Sequence, residues 1–146
     1  MKNRTHNRRR AAFTLIELMV VVAVLAIIAA LAIPTLLGAR KPANEASAIS
    51  ALRSLSTVNE QYRLRFQSYA SDLPDLAATG YIDDKLGAGV KTGFVFNYTT
   101  GPFSWTCTAG PEILGTTGDR YFFINESGVI RFNNSGPATA TDAPLE

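Results

Sequence analysis

The sequence predicts an α+β protein: a long N-terminal α-helix, transmembrane over its first half, packed on a small antiparallel β-sheet of about four strands. Three observations predict it. Leu18 to Ile33 is a run of sixteen residues without a polar side chain. Beyond Ala43, apolar residues recur with a helical period as far as about Phe66. From Phe94 the apolar period shortens to two, punctuated by turns that contain Gly or Pro.

Composition excludes several classes of function. The 146 residues, 47% hydrophobic and 18% charged, suffice for one domain. Five of the 14 Lys and Arg residues lie before Phe13, where there is no acid, so the pI of 8.8 belongs mostly to this basic head. From Phe13 onward nine basic and twelve acidic residues leave a net charge of −3. A nucleic-acid-binding body needs a basic face, so no sequence-specific nucleic acid is expected as a partner. One cysteine, Cys107, and one histidine, His6, supply no metal cluster, Cys–His pair or Ser-His-Asp triad. No Gly-rich phosphate loop precedes a lysine. The sequence reads as a non-enzyme, without catalytic residues, cofactor or metal.

The apolar run comes first in chain order. Ten of its sixteen residues are Leu, Ile or Val, together worth about −3 to −6 kcal/mol on the insertion scale. Glu17 at its edge opposes this, since an acid at a helix centre costs about 2.5–3.5 kcal/mol. Insertion still wins. As a helix, Phe13 to Pro34 is about 33 Å long, enough to cross a hydrocarbon core of about 30 Å. The positive-inside rule keeps the basic head in the cytoplasm. A secretory signal peptide with Ala30-Leu31-Ala32 as its cleavage site and a plain membrane anchor are competing readings. A signal-peptide apolar segment has no use for Glu17, and a carboxylate just inside an apolar helix normally marks a function.

The stretch Ala12-Phe13-Thr14-Leu15-Ile16-Glu17-Leu18-Met19-Val20-Val21-Val22, behind a basic leader and ahead of Pro34, resembles the processing site of type IV pilins and type II secretion pseudopilins. The resemblance is dense over residues 1–42 and architectural beyond them. It implies that a membrane prepilin peptidase cuts at Ala12/Phe13 on the cytoplasmic side and that the new amino group of Phe13 is methylated. The family usually has Gly before the cut; Ala12 carries the next smallest side chain, so cleavage is still expected. The resemblance also implies that Glu17 sets the assembly register by pairing with the Phe13 amine of a neighbouring subunit. Each charge alone in an apolar core is strongly unfavourable, and the pair removes both penalties. Pro34 breaks a hydrogen bond to Ala30 and, with Gly38 and Pro42, is expected to interrupt the helix; in the family this region bends or melts in the fibre.

From Ala43 the helix becomes amphipathic. Ala48, Ala51, Leu52, Leu55, Val58, Tyr62 and Phe66 fall on one stripe, read as core packing, with Glu45, Asn59, Glu60 and Arg63 mostly off it. Residues 67–93 form a connector with a short helix over 73–79, started by Ser71-Asp72-Leu73-Pro74 and stopped at Gly80. Asp72, Asp75, Asp83 and Asp84 raise the question of calcium, but they lack EF-hand spacing and read as capping and turn residues. Phe94, Phe96 and Tyr98 alternate along one strand, and Phe103, Trp105 and Cys107 along the next, joined by Thr100-Gly101-Pro102. Residues 120–125 and 129–132 form a second pair through Glu126-Ser127-Gly128. Trp105 and Cys107 are expected on the buried face. Residues 133–146, rich in Pro, Gly, Ala and Thr, read as a loose tail.

The chain is thus expected to comprise a basic leader peptide (1–12), a hydrophobic transmembrane and assembly helix (13–42), a pilin-like globular domain (43–132) and a flexible C-terminal tail (133–146). The function this implies is structural: a prepilin held in membrane lipid, single-pass in the inner membrane with its N-terminus cytoplasmic, then assembled by inner-membrane machinery into a helical filament. A surface pilus is favoured over a periplasmic secretion pseudopilus because the acidic calcium loop of the major secretion pseudopilins is not recognisable. A secreted or membrane-anchored binding module is the rival from another class.

Overall fold

A computed structural model describes residues 13–145. Helix α1 spans Leu15–Phe66, and the chain divides into two units after Gly38.

The first unit is helical. Every described side chain from Phe13 to Pro34 is exposed, and none of the most apolar 18-residue stretch is buried. That pattern is opposite to that of a soluble core helix, which hides such residues. The expected interruption at Pro34–Pro42 is absent: α1 is helical throughout Leu15–Phe66. A proline deletes one i to i−4 bond, while the bonds of the turns on either side are untouched. Loss of one rung bends a helix without ending it.

In the second unit the amphipathic part of α1 covers the sheet. Ala48, Ala51, Leu52, Leu55 and Tyr62 are buried in one cluster with Phe94, Phe96, Trp105, Cys107, Phe122 and Ile124. Phe66, at the end of the stripe, stays partly exposed. Asn59, expected outside the stripe, is fully buried. Its amide donates to the Leu55 carbonyl at 2.9 Å, and its Oδ1 accepts the Tyr98 hydroxyl at 2.7 Å, so the burial leaves neither end unpaired. The helix ends where Gln67 turns to a φ of 60°.

The connector holds two short helices. The first, α2 (Leu73–Ala78), is capped by Asp72, which accepts the Asp75 N–H at 2.8 Å. The second, α3 (Asp84–Gly87), is capped by Asp83, which accepts the Leu86 N–H. The Lys91 ammonium at 2.6 Å, with that N–H, holds the Asp83 carboxyl below the usual carboxylate range. Asp75 accepts the Tyr62 hydroxyl at 2.9 Å, tying α2 to α1.

Five strands form an antiparallel meander in chain order: β1 (Val90–Lys91), β2 (Phe94–Thr100), β3 (Trp105–Pro111), β4 (Tyr121–Asn125) and β5 (Arg131–Asn133). The unexpected strand is β1, paired to β2 across Thr92-Gly93 with φ of 51° and 73°. Two positive φ values in a two-residue loop make the primed turn that matches strand twist. In the buried rows Ala109 lies between Phe96 and Phe122, and Cys107 between Tyr98 and Ile124. A small residue on the central strand makes room for a larger side chain on each flank. Phe103 departs from its expected strand. It lies in the β2–β3 turn, closed by the Gly101 N–H to Ser104 carbonyl bond, and it is exposed.

The segment after β5, expected to be loose, is tied back. Phe132 and Leu145 donate their N–H groups to the carbonyls of Ala143 and Ile130. Asp142 accepts from the Thr139 N–H and hydroxyl and from the Asn133 amide, which together hold its carboxyl below the ordinary range. Composition registers few apolar residues here; it does not register backbone pairing.

Burial pushes the Cys107 thiol up to about 12. An unfolded thiol titrates near 8.5, so between about pH 8.5 and 12 the folded chain keeps a proton that the unfolded chain has lost. Stability is therefore full below that window and falls as pH rises through it. Tyr98, raised chiefly by its burial, adds the same trend at higher pH. Alkaline unfolding followed by circular dichroism is expected to be shallower in Cys107→Ala, and Cys107 is expected to resist maleimide until the fold opens.

Candidate assembly site

The start of α1 carries the residues that the sequence marks. Thr14 is the N-cap and Glu17 the third helical residue. Glu17 Oε2 accepts the Thr14 N–H at 2.9 Å and the Thr14 hydroxyl at 2.8 Å, while Thr14 Oγ1 accepts the Glu17 N–H at 3.2 Å. This is a reciprocal capping box, which satisfies backbone donors that a helix N-terminus otherwise leaves unpaired. Thr14 lies within the motif and forms this cap with Glu17. The spacing Thr-x-x-Glu was the available signal.

The capping box also aims the carboxylate. Both its bonds from Thr14 end on Oε2, so the carboxylate is held at the first turn of the helix. Phe13, Ile16, Glu17, Val20 and Val21 border a shallow open groove of about 360 Å³. A carboxylate at the rim of an otherwise apolar groove can accept a cation from another molecule while the groove takes its hydrocarbon. Phe13 and Glu17 are brought together here. Pro34 is seventeen residues farther along α1, about 26 Å at 1.5 Å per residue, and belongs to no such cluster. Ala12 lies outside the described residues.

A second polar centre has no local signature in the sequence. Glu45, expected off the buried stripe, is buried on α1. Its Oε1 accepts the N–H groups of Asp119 and Arg120 at 2.8 and 3.2 Å, and its Oε2 meets the Arg120 guanidinium through Nε and Nη2, both at 2.8 Å. The guanidinium lies over the rings of Phe122 and Phe132. One carboxylate thus clamps the chain entering β4 to the helix. Nothing in the spacing of two residues 75 positions apart announces such a pair.

An exposed apolar helix opened by a capped carboxylate, with a helix-on-sheet unit after it in the chain, is an architecture suited to a subunit anchored through its helix. Comparison with known proteins agrees. Residues 7–33 match the prokaryotic N-terminal methylation motif. The chain is 41% identical over 73 residues to the type IV wide pilus major component PilA4 of Thermus thermophilus, covering 50% of this chain and 56% of that protein. It is 37% identical over 62 residues to the type II secretion system core protein G of Aeromonas hydrophila, covering 42% and 43%. The corresponding protein of Pectobacterium carotovorum is 36% identical over 70 residues, covering 48% and 45%. The matches span about half the length of these curated relatives. Over its N-terminal half the chain is thus similar to type IV pilins and type II secretion pseudopilins, and it carries their N-terminal methylation motif.

Proposed function

We propose that this chain is the structural subunit of a type IV pilus-like filament. Its precursor sits in the inner membrane through α1 with the N-terminus cytoplasmic. A prepilin peptidase cuts at Ala12/Phe13, Phe13 is N-methylated, and inner-membrane machinery adds the subunit to a helical fibre whose core is made of the apolar helices. The assembled fibre lies at the cell surface. The observation that carries this reading is the Glu17 carboxylate, oriented beside Phe13 at the head of a fully exposed apolar helix. Oε2 is committed to Thr14, and Oε1 is the oxygen that accepts the methylated amine of the neighbouring subunit.

A second reading, a pseudopilin of a type II secretion system, is supported by the similarity to the core protein G relatives. The pilus reading is preferred for the longer and more identical match to a pilus component. The test is intact-mass and N-terminal peptide analysis of the mature protein from its native cell. A chain that begins at N-methylated Phe13 is the expected result. A chain that begins at Ile33, after ordinary signal-peptide removal at Ala30-Leu31-Ala32, would overturn it, because the assembly helix would be gone. Recovery of the mature chain in sheared surface fibres, rather than in the periplasmic fraction, separates pilus from pseudopilus.

A further inference from the structure

Within the unit that follows Gly38, the most exposed large apolar side chains lie in two places. At one end Leu64 is 73% exposed and Phe103 91% exposed, beside a groove of about 270 Å³ bordered also by Tyr69 and Pro102. At the other, Ile113 is 57% and Leu114 56% exposed in the β3–β4 loop. That loop sits level with the start of the amphipathic helix: the Asn44 amide donates to the Thr117 carbonyl at 2.9 Å, and Glu45 takes the Asp119 N–H. Leu64 is twenty residues farther along α1, so the two ends are about 30 Å apart at 1.5 Å per residue.

The Ile113-Leu114 tip is held in shape before any partner arrives. Thr117 Oγ1 accepts the Ile113 N–H at 3.1 Å and donates to the Ile113 carbonyl, and the Gly115 N–H closes onto the Gly118 carbonyl. Ordering costs that usually oppose association are thereby reduced. Charge differs between the ends in a matching way. Beside Leu64, Arg63 is paired with Glu60, while Arg65 has no carboxylate partner among the described residues. Beside Ile113, Asp119 is paired with Lys41, while Glu112 has no cationic partner among the described residues. Arg65 and Glu112 are too far apart to meet within one chain.

We infer that these two ends are the complementary faces of a head-to-tail contact between copies of this chain: the Leu64–Phe103 groove of one receives Ile113 and Leu114 of another, with Arg65 facing Glu112. The inference rests on the filament reading above and names the surface its globular units use. Two unlike faces form a contact that does not close on itself, so repetition gives an open helical fibre.

The experiment is cysteine cross-linking in filaments of the full-length chain carrying Leu64→Cys and Leu114→Cys together, with each single variant as control; Cys107 is buried and stays silent. Mild oxidation is expected to give a ladder of covalent oligomers from the double variant and monomer from the singles. Filaments that assemble but give no ladder overturn the inference and leave the filament reading standing. Dimers from Leu64→Cys alone mean a like-to-like contact and also overturn it. Should the cysteine pair block assembly, charge reversal decides. Arg65→Glu and Glu112→Arg are each expected to lower filament yield severalfold, with recovery in the double reversal, and failure to recover overturns the contact. If the unsubstituted chain forms no filaments, the proposed function falls and this contact with it.

Discussion

Glu17→Gln is expected to leave precursor level and cleavage at Ala12/Phe13 unchanged while nearly eliminating incorporation into filaments. The choice of Gln matters because Glu17 has two separable tasks. As the third residue of the helix it caps Thr14, and Gln at that position caps as well. As an anion it meets the amine of the neighbouring subunit, and Gln cannot. An unpaired ammonium left in an apolar fibre core costs about 3–5 kcal/mol, so subunit addition weakens on the order of a hundredfold or more. Glu17→Ala removes both tasks and is expected to be no less severe. Thr14→Val removes the capping hydroxyl alone, worth about 0.5–2 kcal/mol of helix start, and is expected to lower filament yield only mildly. Immunoblots of sheared fibres against whole-cell protein read all three. Filaments from Glu17→Gln equal to the unsubstituted chain would sink the register role and leave Glu17 as a cap.

Which parts of this fold were legible follows from how each is encoded. The apolar run, the helical stripe and the alternation around Trp105 and Cys107 are local periodicities, and the core cluster contains those residues. The end of α1 at Phe66 and the start of α2 behind Asp72 are equally local, written in a change of period and a capping side chain. Strand β1 was not legible, because Thr92-Gly93 lacks the Asn-Gly or Asp-Gly signature of its turn. Its left-handed Thr92 meets a partner contributed from elsewhere, the Ser47 hydroxyl, which donates to Thr92 Oγ1 at 3.0 Å. Phe103 was misplaced because alternation continues smoothly through it, while the turn that removes it from the strand is set by Gly101 and Ser104. At the candidate site, the motif pointed to Phe13 and Glu17 but was silent on Thr14. Asn59 and Glu45 look like solvent-facing residues until Tyr98 and Arg120, far away in sequence, arrive to satisfy them.

Glu45 carries the second large prediction, on stability. Its side chain is 8% exposed and makes four contacts with the chain at Asp119 and Arg120. Removing one member of a buried ion pair strands the other charge and costs about 3–5 kcal/mol. Arg120 keeps 35% of its side-chain exposure, and water relieves part of its loss, so Glu45→Ala is placed at the low end, about 3 kcal/mol. For a unit of roughly a hundred residues that lowers the Tm by about 12–24 °C. Glu45→Gln keeps an oxygen for the two N–H groups and loses only the contact with the guanidinium, which its NH2 cannot accept, so a smaller fall is expected. Thermal unfolding of the full chain in detergent micelles, followed by circular dichroism, measures both. Equal and small shifts would mean that the clamp contributes shape without energy. The order Ala below Gln below unsubstituted has a consequence for assembly as well. Glu45 fixes the end of the loop that carries Ile113 and Leu114, so loosening it is expected to reduce filament yield at temperatures where the rest of the unit is still folded.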